Sequence, residues 1–144
     1  MSAICGVLSL GERSAPRHDL AVMMRALEKH GPDGNASWHS DPIAFGHQAM
    51  HITPESVHES LPLWHEPSGT ALTFEGRIDN RGELLAALEL QANRQPGDSE
   101  LLMAAYLKWG TACVDRLVGE FAVAIWNARE RRLHCITDPM GIRP

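Results

Sequence analysis

Cysteine is scarce in these 144 residues, with one each at positions 5, 113 and 135 and no CxxC pair. An odd, widely spaced set argues against a disulfide framework and against a structural zinc site. Each cysteine lies within an apolar segment, where a free cysteine is expected to pack as a small core residue. Long hydrophobic runs are missing too, none approaching the ~20 residues of a membrane span. Met1 to Leu10 lacks the basic start and cleavage-type tail of a signal peptide, so no membrane association and a cytoplasmic location are expected. Positive charge is in deficit: 13 Lys and Arg against 18 Asp and Glu leave a net charge of −5. Arg129, Arg131 and Arg132 fall in an expected hairpin turn rather than along a face. Without a basic footprint to neutralise phosphates, nucleic-acid binding is not expected. No repeat, low-complexity tract or linker divides the chain, which reads as one domain over residues 1–144.

What is present is a normal share of apolar residues, 44%, in an order that alternates sheet and helix patterns only coarsely. Ala3 to Leu10 is apolar and β-branched and ends at Gly11, which predicts a buried N-terminal strand. Leu20, Met23, Met24 and Leu27 follow helical spacing within Arg17–Lys29, and HGPDG, His30 to Gly34, predicts a tight turn. Strands are expected near Ala36–Ser40, Ile43–Ile52, Leu61–His65 and Thr70–Glu75. Asn80–Leu90 reads as a short helix. A second opens at Asp98, read as its cap, with Leu101, Leu102, Ala105 and Trp109 on one face, and Cys113–Val118 continues it. Glu120–Asn127 and Arg132–Thr137 form a predicted hairpin. The first of these, EFAVAIWN, is apolar on both faces, as a central strand covered on each side must be. The absence of regular β-α-β alternation points to an α+β layered domain.

Several separated motifs sharpen this. MSAICGV at the start, HGPDG after the first helix, FGHQAMHI, FEGRIDN, GDSELL and the closing GEFAVAIWNARERRLHCITDPMGIRP occur in one order. That order resembles class II glutamine amidotransferase domains, members of the N-terminal nucleophile hydrolases, and the last stretch resembles asparagine synthetases in particular. The resemblance covers essentially the whole chain. It implies a four-layer αββα sandwich, here truncated at its C-terminus, since such domains continue with further strands. It also implies a following ATP-pyrophosphatase synthetase domain with a Ser-Gly-Gly-x-Asp-Ser phosphate loop, which this sequence does not contain.

Such domains open on a cysteine directly after the initiator methionine, whose own α-amine, with a pKa of ~8, acts as the base. Laid on this sequence, the opening puts Ser2 at the nucleophile position and Cys5 on an aromatic position. A second register sets Cys5-Gly6-Val7 on the family's Cys-Gly-Ile and requires removal of Met1 to Ile4; Cys5 as a packed strand residue is the favoured reading. Ser2 has a plain reading as an exposed terminus, and serine is harder to activate than cysteine. The arginine that clamps the glutamine α-carboxylate matches Ala49, which forgoes a contact of roughly 1.5–3 kcal/mol. The Asn-Gly-Glu motif that serves the oxyanion and the α-ammonium matches Glu75-Gly76-Arg77. An ionised Glu75 repels an oxyanion, where loss of one donor costs about 10²–10³ in rate, and Arg77 is expected where the ammonium sits. Gly76 and Asp98 remain as substrate-binding positions, Asp98 with a helix cap as its alternative. Ser2 is thus expected to mark a degenerate catalytic site.

The segment His47-Gln48-Ala49-Met50-His51 resembles the HExxH zinc motif without its glutamate. It reads as a strand rather than a helix, so no metal is expected. Asp138-Pro139 and Gly141 match a family loop near the contact with the synthetase half. A serine opening on an asparagine synthetase scaffold is similar to lasso peptide cyclases, which adenylate a carboxylate for attack by a backbone amine and need no ammonia from glutamine. The resemblance therefore implies an ATP-dependent amide-forming enzyme, either an asparagine synthase or a lasso peptide macrocyclase. This domain then needs no cofactor of its own, while ATP and magnesium serve the synthetase domain. The implied partners are that domain, in cis or in trans, and a precursor peptide. Two other readings stay open at this point: a working glutaminase using Ser2 or a processed Cys5, and a non-catalytic interaction module completed by another chain.

Overall fold

A computed structural model gives the architecture and describes residues 1–11, 14, 17–90 and 95–143. The first sheet is antiparallel and ordered β1-β3-β2, from β1 (Ala3–Leu8), β2 (Gly34–Ser40) and β3 (Ile43–Ala49). The second, also antiparallel, is ordered β4-β5-β6-β7, from β4 (Leu63–His65), β5 (Thr70–Ile78), β6 (Gly119–Asn127) and β7 (Arg132–Thr137). Helix α1 (Arg17–Ala26) packs on β1 and β3, while α3 (Asp98–Trp109) packs on β5 and α2 (Arg81–Leu88) on α3. The layers run α1, first sheet, second sheet, α2 with α3. This is the α+β αββα sandwich.

Strand periodicity explains how three apolar layers arise. Along β3, Ile43 and Phe45 face the second sheet and meet Ala71 of β5 and Trp126 of β6. The intervening Ala44 faces α1, where Leu20, Met24, Cys5 and Val7 pack on it. Gly46 follows on that face, and a Cβ there would run into Met24 and Cys5. On the other side, Leu72, Phe74, Ile78, Phe121, Val123 and Ile125 face α2 and α3. Strand β6 is therefore apolar on both faces because it has a sheet on one and helices on the other.

Several sequence expectations need correction. The first strand stops at Leu8, and Leu10 is 91% exposed. Met23 is exposed on α1, because the helix lies on the sheet only along Leu20 and Met24. The short helix expected over Cys113–Val118 runs instead from Gly110 to Arg116, as a 3-10 helix. Cys113 is in the core and Cys5 half-buried, but Cys135 is exposed, since β7 is an edge strand with one face open. Asp98 does not cap α3. Gly97 holds the capping position, and the Gly97 N–H donates to Glu100 Oε2 at 2.8 Å.

Candidate functional site

Between the sheets, the apolar filling gives way to polar side chains toward one end. Beyond Phe45 on β3 comes His47, and beyond Ala71 and Thr73 on β5 comes Glu75. Thr73 Oγ1 donates to the Gly46 carbonyl at 3.4 Å, and His47 is hydrogen-bonded to the backbone of Phe74. Past these links the layers part into a cleft. The N-terminus, residues 50–53, Glu55, Ser56, residues 59–61, Glu75 and Gly76 of β5, Asp98 and Arg143 help to line it.

Ser2, Gly76 and Asp98, the three residues singled out from sequence, all border this cleft, as does Ala49 with only a methyl group. Cys5 does not. It faces α1, where burial pushes its thiol pKa up against a smaller opposing effect from the Gly46 backbone. The Ser2 hydroxyl is engaged from both sides: Oγ accepts from the Met50 N–H at 3.0 Å and donates to the Met50 carbonyl at 3.3 Å. Gly76 has φ 139° and lies against the β6 backbone at Glu120 and Phe121, leaving no room for a Cβ. Only glycine accepts both conditions.

Asp98 is committed to the protein. One oxygen is paired with the Arg81 guanidinium, and Oδ2 accepts from the Ile78 N–H at 2.9 Å. Glu59 serves the same helix start, its Oε1 accepting from the Ser99 N–H and hydroxyl, each at 2.7 Å.

Arg77 does not enter the cleft as expected. It pairs with Asp79 at 2.7 Å near the surface, with more than half of its side chain exposed. The guanidinium that does line the cleft is that of Arg143, which sequence reasoning missed. Its guanidinium lies 3.1 Å from Glu75 and 3.4 Å from Glu120, with the side chain only 12% exposed. Burial holds the pKa of Glu75 above its ordinary value, against smaller opposing effects of Arg143 and the N-terminal ammonium, with Glu120 adding to the rise.

Arg143 is delivered by a turn organised around Asp138. This buried carboxylate accepts from the N–H groups of Met140 (2.9 Å), Ile142 (3.3 Å), Phe121 (3.3 Å) and Arg143 (3.4 Å). Burial alone would raise its pKa, but the four backbone donors together hold it below the ordinary value. The sequence clue was Asp138-Pro-Met-Gly, a turn pattern whose carboxylate can gather backbone donors; Pro144 of that motif lies outside the described residues.

His47 is buried and neutral at pH 7. Desolvation first, then the nearby His51, lower its pKa to about 4, against a smaller opposing effect from the Phe74 backbone. It sits between the sheets, whereas Gln48 faces α1 and donates through Nε2 to the Met24 carbonyl at 2.7 Å. The strand thus puts His47 and Gln48 on opposite faces, while Met50 and His51 lie past its end. Among the described residues no group of three or more His, Cys, Asp or Glu is placed to hold a metal ion. None of the described helices is long and apolar enough to cross a membrane.

Comparison with known proteins agrees with this architecture. The glutamine amidotransferase domain family matches residues 1–144. A Mycobacterium tuberculosis (strain ATCC 25618 / H37Rv) protein named "Putative asparagine synthetase", glutamine-hydrolyzing, is 33% identical over 98% of this chain and 25% of its own length. The glutamine-hydrolyzing asparagine synthetase 1 of Bacillus subtilis is 30% identical over 92% of this chain and 21% of its own. The chain thus spans about a quarter of the length of these relatives. Among solved structures, the glutamine phosphoribosylpyrophosphate amidotransferase of B. subtilis, complexed with ADP and GMP, superposes with a TM-score of 0.77. That match has 19% identity and covers all of this chain and 38% of the other; it supports the fold. With the family matched over its full length, the chain belongs to the glutamine amidotransferase domains, of the kind found in asparagine synthetase-like proteins.

Proposed function

We propose that this chain is the glutaminase-like part of an ATP-dependent, amide-forming enzyme of asparagine synthetase type, and that its own glutamine hydrolysis is lost. The observation that carries the second half is the state of Ser2. A nucleophilic hydroxyl needs a base to take its proton and a free lone pair to attack. Here the proton is directed at the Met50 carbonyl rather than at a base, and the Met50 N–H takes one of the oxygen's two lone pairs. The oxyanion region adds to this. The Glu75 carboxylate, paired with Arg143, stands where a hydrogen-bond donor is required. The alternative nucleophile Cys5 points into the α1 layer, so the reading of a working glutaminase gains nothing from it.

The relatives' names supply the synthetase half of the reading, with ATP and magnesium acting on a part of the enzyme outside these residues. The likeness of the serine opening to lasso peptide cyclases favours a macrocyclase that uses a peptide amine and no ammonia, with a precursor peptide as substrate in the cytoplasm. Within such an enzyme this domain serves as scaffold and binding module. The experiment joins this chain to its synthetase half, in cis or as a separate polypeptide, and follows ATP-dependent amide formation. Product formed with an amine acceptor, and not promoted by glutamine, is expected. Glutamine-supported formation of a primary amide would overturn the proposal.

A further inference from the structure

The connection from β3 to β4 supplies part of the cleft's lining, and its two ends are firmly held. Met50 is clasped by Ser2, and Leu61 is buried in the core on the α2 and α3 side. Between them no large apolar side chain is buried, Ile52 being 63% exposed and Val57 59%. The middle is tied mainly to itself, through the Thr53 and Ser56 hydroxyls and the 3-10 turn Ser56–His58. Among the described residues, hydrogen bonds join 51–60 to the rest of the protein at two places. The His51 N–H donates to Asp33 at the start, and Glu59 receives Ser99 at the end.

The Glu59 contact is the more heavily built. One carboxylate oxygen accepts both the N–H and the hydroxyl of Ser99, each at 2.7 Å. Ser99 is 1% exposed and stands in the first turn of α3, where an amide has no acceptor within its own helix. Gly97, at the capping position, has no side chain to serve it. Glycine at 97 is explained by the same contact. Its φ of −65° and ψ of 166° suit any residue, so the backbone does not call for glycine there. The space does: an added Cβ would lie 2.4 Å from Glu59 Cγ.

We propose that residues 51–60 are a movable side of the cleft, and that Glu59, seated on Gly97 and bonded to Ser99, is the latch that holds it against α3. On release the turn keeps its own internal bonds and moves as a unit between the clasped Met50 and the buried Leu61. The chain's own carboxylate thus sets access to the cleft. This holds whether or not the cleft turns glutamine over.

The test is native-state proteolysis of the full chain with thermolysin, which cuts before large apolar residues, read bond by bond by mass spectrometry. The bonds before Ile52 and Val57 report the movable side, and the bond before Leu72, buried in β5, reports global unfolding. Under these conditions cutting tracks the population of the open form. In the unmodified chain the Ile52 and Val57 bonds should be cut faster than the Leu72 bond, at a rate that low urea hardly changes. Glu59→Ala should speed those two cuts by roughly tenfold or more, the weight of hydrogen bonds to a charged group. Glu59→Gln keeps an accepting oxygen without the charge and should speed them less. Gly97→Ala displaces the Glu59 side chain but keeps the Gly97 backbone bonds to Glu100 and Leu101, so it should reproduce the faster cutting in a folded chain. Because both substitutions act through one contact, the double variant should be cut no faster than Glu59→Ala alone. Equal cutting before Ile52, Val57 and Leu72 in the unmodified chain would overturn the proposal. So would unchanged cutting in Glu59→Ala or in Gly97→Ala, or effects that multiply in the double variant.

Discussion

Ser2 and Met50 hold each other by a two-way clasp, in which one hydroxyl accepts from the Met50 N–H at 3.0 Å and donates to the Met50 carbonyl at 3.3 Å. A side chain here takes the place of a strand's backbone and extends the pairing of β1 with β3 beyond Ala3 and Gln48. Replacing Ser2 with alanine is expected to cost about 0.5–1.5 kcal/mol, the usual net worth of such bonds. Hydrogen exchange at the Met50 amide should speed up, and Tm should fall by a few degrees, with no catalytic change. An unchanged Met50 exchange rate would show that the clasp does not form.

Glu75 and Arg143 behave as a buried pair, with side chains 9% and 12% exposed. Removing one partner strands the other, which typically costs about 3–5 kcal/mol. Arg143→Met should therefore destabilise strongly by urea unfolding. Glu75→Gln in the same chain should restore part of the loss, since the stranded charge is then gone. Strictly additive effects would contradict the pairing.

Gly76 tests the cleft's floor. At φ 139° and against the β6 backbone, an added methyl group faces both backbone strain and a clash. Gly76→Ala should cost at least about 3 kcal/mol, among the large single-residue effects. Gly82, whose added Cβ meets nothing within 4 Å, is the control, and Gly82→Ala in helix α2 should be neutral or slightly stabilising.

The strand-and-helix frame was legible where local pattern and packing agree. EFAVAIWN is apolar on both faces because Phe121, Val123 and Ile125 meet the helices while Trp126 meets the other sheet. The cleft was legible through Ser2, Gly76, Asp98 and Ala49, all of which border it. Its electrostatics were not. Asp98 stands at a helix start, as its neighbours suggested, but its carboxylate is taken by Arg81 of another helix, a partner no local pattern announces. Arg77, expected in the cleft, lies outside it, and Arg143, for which the sequence suggested no role, lines it. The position of Arg143 depends on four backbone donors gathered by Asp138, an arrangement that spacing alone does not announce.

Acid should expose the cost of burying His47. Its pKa is about 4 in the folded protein against 6.5 in the unfolded chain, so the unfolded state binds the proton first. Stability is then full above pH 6.5 and declines as pH falls from there to about 4, by roughly 3 kcal/mol in all. His47→Gln should flatten that part of the profile. Asp138, whose pKa is held below 3.8, acts lower on the scale: its contribution is present above that value and is lost as pH falls through the depressed folded pKa. A stability profile level between pH 6.5 and 4 would refute the assignment for His47.

The most direct measurement is ammonia release from L-glutamine by the purified chain, with Ser2→Ala and Cys5→Ala beside it. With the Ser2 hydroxyl clasped by Met50, a carboxylate at Glu75 in the same cleft and Cys5 turned to α1, all three proteins should match the protein-free background. Turnover by the unmodified chain that either substitution abolishes would contradict the loss of glutaminase activity.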